Sequence, residues 1–273
     1  MLQHYKRWHP SRDGSRFNGG NRMYIKLTGT GNAPQIPVYG CHCTSCARAR
    51  VDENYRRRPA SAEIHTSIGR FLLDAGRTDL ADWVDPDTLQ GVILTHYHMD
   101  HVAGLFHLRW GVVSPIPVYG PPDANGCDDL REHPGCLDFA HELEPYQDKT
   151  LCQELTITPL PIKHSKMTFG YILKGRREAV VYLSDCDGIG PESQAKIRAA
   201  KPKAIIVDCS FPPGMGRNHL SLDRATPLLT ELDPQWLYLT HIGHDLENFL
   251  ITNPLPEDGR IHIARDGMTL NID

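Results

Sequence analysis

Three histidines and an aspartate fall within six residues, His96-Tyr97-His98-Met99-Asp100-His101, directly behind an apolar run at 91–95. The run reads as a buried strand and residues 101–110 as a helix, so the motif occupies a strand-to-helix turn. Side chains alternate along an extended segment, which lets His96 and His98 point to one side and share a metal ion while Asp100 and His101 diverge toward a second. So dense a set constrains the fold, because the chain must bring further donors to the same turn. Later strands offer them at their C-terminal ends: His164 follows Leu160-Pro161-Ile162-Lys163, Asp185 follows Val181-Tyr182-Leu183-Ser184, and His241 follows Leu237-Tyr238-Leu239-Thr240. Zinc accepts imidazole with carboxylate, and manganese suits carboxylate-rich sets.

A second cluster, Cys41-His42-Cys43-Thr44-Ser45-Cys46, places three thiols in six residues. Thiolates so close repel unless a cation is shared, and zinc with four nitrogen or sulfur ligands is the usual solution. A disulfide and an iron–sulfur cluster are the alternatives. His42 is wedged between candidate ligands, whereas His244 stands three residues after His241 and can complete the set. The segment His241-Ile242-Gly243-His244 would then serve both metal sites. Cys127, Cys136, Cys152, Cys186 and Cys209 have no partner spacing and read as small hydrophobes or plain thiols. Eight cysteines in 273 residues fall far below the roughly 8–10% of a disulfide-built scaffold.

Lys and Arg total 29 against 33 Asp and Glu, a net charge of −4, which argues against a protein that coats nucleic acid. No apolar stretch approaches the roughly 18 residues of a membrane span. Residues 1–22 carry Lys6, Arg7, Arg12, Arg16 and Arg22 against Asp13, without the apolar core of a secretory signal, and read as a disordered basic leader. The expected compartment is the reducing cytoplasm, where clustered cysteines bind metal.

Residues 23–273 read as a single domain. Strands are expected at 23–28, 115–119, 155–163, 169–174, 179–184, 204–208 and 236–240, with hairpins at 62–69/70–75 and, closing the chain, at 260–264/268–272. Helices are expected over 101–110, 191–200 and 221–232. Strands in two sets with helices between them imply a layered α/β arrangement of two packed sheets.

The order H-x-H-x-D-H, then His164, Asp185 and His241, with Asp74 upstream in Leu72-Leu73-Asp74-Ala75-Gly76, resembles the metallo-β-lactamase fold hydrolases over residues 23–273. The resemblance implies an αβ/βα sandwich of two mixed sheets with helices outside and a binuclear site at one edge. It implies His96, His98 and His164 as ligands of the first ion, Asp100, His101 and His241 of the second, and Asp185 as the bridge. Asp74 would support the histidine loop, or else is a simple turn aspartate. The early C-x-C-x-x-C, Leu108-Arg109-Trp110-Gly111, Pro117-Val118-Tyr119-Gly120-Pro121-Pro122 and Asn218-His219 narrow the likeness to the PhnP-type phosphodiesterases of the carbon–phosphorus lyase pathway. That likeness implies hydrolysis of 5-phosphoribosyl 1,2-cyclic phosphate, a small anionic substrate, to ribose 1,5-bisphosphate in phosphonate catabolism. It further implies two active-site divalent ions, commonly manganese with zinc as the alternative, a structural zinc on Cys41, Cys43, Cys46 and His244, and a homodimer. Neither nucleic acid nor a membrane is an expected partner, and the leader departs from the pattern.

His219 is the expected general acid, because histidine holds a proton near neutrality and this one lies in a Gly/Pro-rich loop before a helix; a core or capping histidine is the alternative. Asp100 is expected to take part in catalysis as well as to bind metal. Arg56-Arg57-Arg58, Lys166 and Arg217 are available for a second phosphate, and nothing in the sequence selects among them. The motif also resembles transfer-RNA 3′-processing nucleases, against which the acidic net charge and the missing Gly/Pro/Lys-rich insertion both count. Lactamase and thioester hydrolase branches lack the cysteine knuckle. A noncatalytic zinc-stabilised scaffold would be marked by missing ligands, and none is missing.

Overall fold

Ala179–Leu183 and Ala204–Asp208 are buried at every position, a pattern met only by strands covered on both faces, as in parallel sheets flanked by helices. The computed structural model describes residues 23–123, 125–256 and 259–272, so the basic leader 1–22 lies outside the described residues. In chain order the first sheet takes β1 (Tyr24–Gly29), β2 (Ser61–Thr66), β3 (Gly69–Ala75), β4 (Leu89–Ile93), β5 (Ile116–Gly120) and β6 (Leu137–Glu142). The second takes β7 (Lys149–Cys152), β8 (Leu155–Lys163), β9 (Thr168–Lys174), β10 (Ala179–Leu183), β11 (Gly188–Ile189), β12 (Ala204–Asp208), β13 (Trp236–Thr240) and β14 (Ile261–Ile263), and β15 (Thr269–Asn271) returns to the first. The spatial orders are β15-β1-β2-β3-β4-β5-β6 and β11-β8-β9-β10-β12-β13-β14, with β7 on β8. Each sheet is mixed: β3 through β6 and β10 through β14 along those orders run parallel, and the remaining pairs are antiparallel.

One apolar core, including Ile25, Leu73, Tyr171 and Ile206, lies between the sheets. Two more cover their outer faces. Val181 and Val207 of the second sheet cluster with Ile197 of α6 (Pro191–Ala200) and Leu246 of α9 (His244–Thr252), and Leu72 and Val92 of the first cluster with Val102 of α3 (Met99–Val102) and Leu105 of α4 (Leu105–Leu108). This is the expected αβ/βα sandwich, with β2 and β3 forming the expected hairpin.

The expected closing hairpin is not formed. β14 pairs parallel with β13 in the second sheet, while β15 pairs antiparallel with β1 in the first. Asp266 holds the crossing: it accepts hydrogen bonds from Thr30 N at 2.9 Å, Thr30 Oγ1 at 2.7 Å and Arg58 N at 2.9 Å, and Gly267 turns with φ 88°. Two expected helices are interrupted. The first breaks at Gly104 into α3 and α4; the second breaks before Pro227 into α7 (Leu222–Ala225) and α8 (Leu228–Leu232), because proline cannot donate within a helix. Four α-helices were not expected among the described residues, α1 (Thr44–Val51), α2 (Leu80–Trp83), α5 (Asp128–Glu132) and α9, and of these α1 and α9 pack on each other. Beneath them Arg57, 1% exposed, pairs with Glu247 at 2.8 Å and donates to Thr30 Oγ1 and Ala264 O.

Asp266→Ala removes three hydrogen bonds to buried or half-buried groups. It is expected to lower the unfolding free energy by about 2–4 kcal/mol, read from urea denaturation.

Candidate active site

The candidate ligands gather at the edge where the chain leaves the C-terminal ends of strands: β4, β10 and β13, which have parallel neighbours, and the antiparallel β8, which His164 follows. Asp74, Asp185 and His241 each stand at such an exit with φ of 57°, 54° and 58°. This left-handed conformation is uncommon outside glycine, but Asp, Asn and His tolerate it best. Cross-sheet bonds fix the histidine turn: Phe169 N donates to Thr95 O at 2.9 Å and the Tyr171 hydroxyl to Leu94 O at 2.6 Å.

Two donor groups result, each with its ligand atoms within 4.8 Å of one another: His96, His98, His164 and Asp185, and Asp100, His101, Asp185 and His241. In the first, His98 Nδ1 lies 2.8 Å from His96 Nε2 and 3.2 Å from His164 Nε2. In the second, Asp100 Oδ2 lies 3.5 Å from His101 Nε2 and 3.6 Å from His241 Nε2. Asp185 belongs to both. Its Oδ1 is 3.5 Å from His164 Nε2, while its Oδ2 is 2.7 Å from His101 Nε2 and 3.2 Å from His241 Nε2.

The far nitrogens are held in turn, which orients the rings. His96 Nδ1 meets Thr95 Oγ1 at 3.0 Å, His101 Nδ1 meets Asp74 Oδ2 at 2.9 Å, His164 Nδ1 donates to Asn218 O at 3.0 Å, and His241 Nδ1 meets Ser210 Oγ at 2.9 Å. Asp74 is fully buried and also accepts from Thr95 N at 2.8 Å, so it braces the histidine turn and is no simple turn aspartate. The Nε2 atoms of His101 and His241 are buried without a hydrogen-bond partner. Unpaired buried nitrogens converging on a shared carboxylate are what a divalent cation satisfies, so the residues fit the metals that the fold implies.

The electrostatics agree. Burial pushes His96 well below its ordinary range, and it lowers His98 and His164 as well. Burial also disfavours charge on His101 and His241, but Asp185 overrides it, with help from Asp74 at His101 and from Asp100 at His241. His101 is carried well above the usual histidine range and His241 up to about 9. Against their own burial, Asp100 and Asp185 are held below the usual carboxylate range, chiefly by the neighbouring imidazoles.

His219 stands beside this centre, stacked on His241 with ring centroids 4.9 Å apart. Its Nδ1 donates to Asp208 Oδ2 at 2.6 Å, and Asp208 is fully buried, accepting also from Cys186 N and Ser210 Oγ. Asp208 escaped the sequence reading. The available signal was that it too ends an apolar strand, like Asp185 and His241.

The cysteine cluster meets His244: its Nδ1 lies 3.5 Å from Cys41 Sγ and 3.6 Å from Cys43 Sγ, and Cys46 completes the group. His42 is exposed and outside it. Cys43 precedes α1 and Cys46 lies on it, so half of the knuckle is helical. Burial opposes ionisation of Cys43, but bonds with Ser45 and His244 bring its thiol down to about 6, whereas burial takes Cys46 up to about 11. Cys186 and Cys209 are buried, and Cys127, Cys136 and Cys152 are half-buried.

A cleft of about 370 Å³ opens over both donor groups, lined also by Asn32, Ser165, Phe211, Arg217, His219 and Asp245. Of the candidate phosphate donors, Arg217 lines it and Arg56, Arg57, Arg58 and Lys166 do not.

Residues 69–242 match the family described as Beta-lactamase superfamily domain, well over half of the chain. The chain belongs to the metallo-β-lactamase superfamily. Among relatives of known name, an octanoyltransferase of Porphyromonas gingivalis is 26% identical over 274 residues, covering 92% of this chain and 52% of that protein; the chain thus spans about half its length. A ribonuclease Z of Methanococcus aeolicus is 23% identical over 165 residues, 52% of this chain and 51% of that one. Among solved structures, a diphosphatase from the PhnP family superposes with TM-score 0.77 at 21% identity, covering 91% of this chain and 97% of that one. That superposition shows the shared fold.

In the ion-free protein His241 keeps its proton up to about pH 9, so a divalent cation entering near neutrality must displace protons. Calorimetry in buffers of different ionisation enthalpy is expected to show proton release on loading and an affinity that falls as the pH is lowered.

Proposed function

We propose that the protein is a binuclear-metal phosphodiesterase that hydrolyses 5-phosphoribosyl 1,2-cyclic phosphate to ribose 1,5-bisphosphate in cytoplasmic phosphonate catabolism, acting as a homodimer. The observation that carries this reading is one small cleft in which Asp185 faces two donor groups with separate oxygens while the Asp208-anchored His219 stands beside them. His96, His98, His164 and Asp185 would hold one divalent ion, and Asp100, His101, His241 and Asp185 the other. Manganese is the favoured metal, zinc the alternative, with a structural zinc on Cys41, Cys43, Cys46 and His244. Divalent ions so held activate water at neutral pH and offset phosphoryl charge.

The chain's own residues do the rest. As water adds to phosphorus and the bond to the ribose O2 breaks, that oxygen needs a proton. His219 supplies it from Nε2, since Nδ1–H is committed to Asp208. Asp208 fixes the orientation of the ring. Asp74 and Thr95 keep the histidine turn from collapsing. A small substrate suits the cleft volume, and no helix among the described residues is long and apolar enough to cross a membrane.

Transfer-RNA 3′ processing is the second reading, favoured by the similarity to a ribonuclease Z. Phosphorus NMR with the cyclic ribosyl phosphate, 2′,3′-cyclic nucleotides and a precursor transfer RNA separates the two, and turnover of the RNA alone would overturn the first. His219→Ala is expected to lower kcat by about 10²–10⁴-fold with metal content equal to wild type. Loss of metal would instead make His219 a ligand, as its place within 4.8 Å of Asp208 and His241 allows. Cys43→Ser is expected to lower zinc content and the thermal midpoint together, read by metal analysis and calorimetry.

A further inference from the structure

Resting on the phosphodiesterase reading above, we propose that Arg217 forms a subsite for a second phosphate of the substrate, a phosphomonoester held apart from the scissile diester. The structure commits the other cationic candidates elsewhere. Arg57 is buried against Glu247. Arg56 donates to Ala49 O at 3.1 Å and faces Glu53, and Arg58 lies between Glu53 and Asp266. The Lys166 ammonium donates to Asn125 O and Gly126 O and pairs with Asp123 at 3.3 Å.

Arg217 differs on each count. It is exposed, it lines the cleft, and among the described residues its guanidinium makes no hydrogen bond or ion pair. No other arginine or lysine lines that cleft among the described residues. Apart from the histidines, the polar lining is otherwise neutral, as with Asn32, Ser165 and Ser210, or acidic, as with Asp245. The single charge of the scissile diester falls to the donor groups and His219 on the cleft floor, whereas a monoester dianion needs a further cation, and Arg217 is the one that lines the cleft. Guanidinium meets phosphate with two parallel hydrogen bonds, a geometry an ammonium cannot copy.

The backbone beneath Arg217 is set for this task. Gly214 and Gly216 turn at φ 73° and 119°, and Gly214 N donates to Asp223 Oδ1 at 3.2 Å. Leu222 N donates to Phe211 O at 2.9 Å, and the next residue, Asn218, receives His164 Nδ1 on its carbonyl. The loop is thus pinned on both sides while the Arg217 side chain stays uncommitted. It can close on a ligand by rotamer change, two residues from the general acid.

The test compares wild type with Arg217→Gln and Arg217→Lys in two measurements. The first is the ratio of kcat/KM for 5-phosphoribosyl 1,2-cyclic phosphate to that for ribose 1,2-cyclic phosphate. The ratio is expected to fall about tenfold to a hundredfold in Arg217→Gln, mainly through KM for the phosphorylated ester, with partial recovery in Arg217→Lys. The second is inhibition of bis(p-nitrophenyl) phosphate hydrolysis by ribose 5-phosphate, with ribose as control. Its Ki is expected to rise about tenfold or more in Arg217→Gln. An unchanged ratio with an unchanged Ki, or equal losses on both cyclic esters, overturns the subsite. Wild type that turns over neither cyclic ester but cleaves the nitrophenyl ester overturns the substrate reading alone, and the Ki comparison then decides for or against Arg217.

Discussion

Asp185 is the point at which the two halves of the molecule meet. It leaves the second sheet after β10, and its carboxylate faces His164 and His241 from that sheet and His101 from the turn that follows the first. A buried carboxylate ringed by imidazoles is unstable unless charges balance and orientations are held. Much of the surrounding structure supplies that. Asp74 and Thr95 hold one side, Ser210 and Asp208 the other, and bonds from Phe169 and Tyr171 lock the histidine turn of the first sheet to the second.

The same edge is tied to the cysteine cluster through one short segment. His241 faces the active centre, and three residues later His244 reaches Cys41 and Cys43. Below them Glu247 receives Arg57, Arg48 and Arg265, which brings α1, α9 and the sheet-crossing strand segment around one buried acid. Burial opposes charge on Glu247, yet these arginines hold it down to about 2, so the network stays ionised across the physiological range. A displacement of the knuckle would therefore be felt at His241 through the two intervening residues, Ile242 and Gly243, and a packed helix.

Much of this was legible in the residues. The apolar runs before His164, Asp185 and His241 mark strands, and a titratable residue at the end of each marks a common edge. The misreadings share a cause. The closing segment alternates like a hairpin, but its two strands join different sheets because Asp266 finds its donors on Thr30 and Arg58, more than 200 residues away. Helix α1 has little amphipathic pattern and is held by contacts with α9. Asp208 looked like any strand residue until His219 folded against it.

The sequence by itself determined the donor inventory and its layered frame, since ligand chemistry depends on residue type and strand period on local pattern. Only the tertiary structure decided which oxygen of Asp185 faces which group, that Asp208 holds His219, and that one of the five candidate cationic residues, Arg217, reaches the cleft uncommitted. Those are distances between residues far apart in the chain, and no local preference encodes them; they arise when two sheets, each satisfying its own hydrophobic faces, close on a common edge.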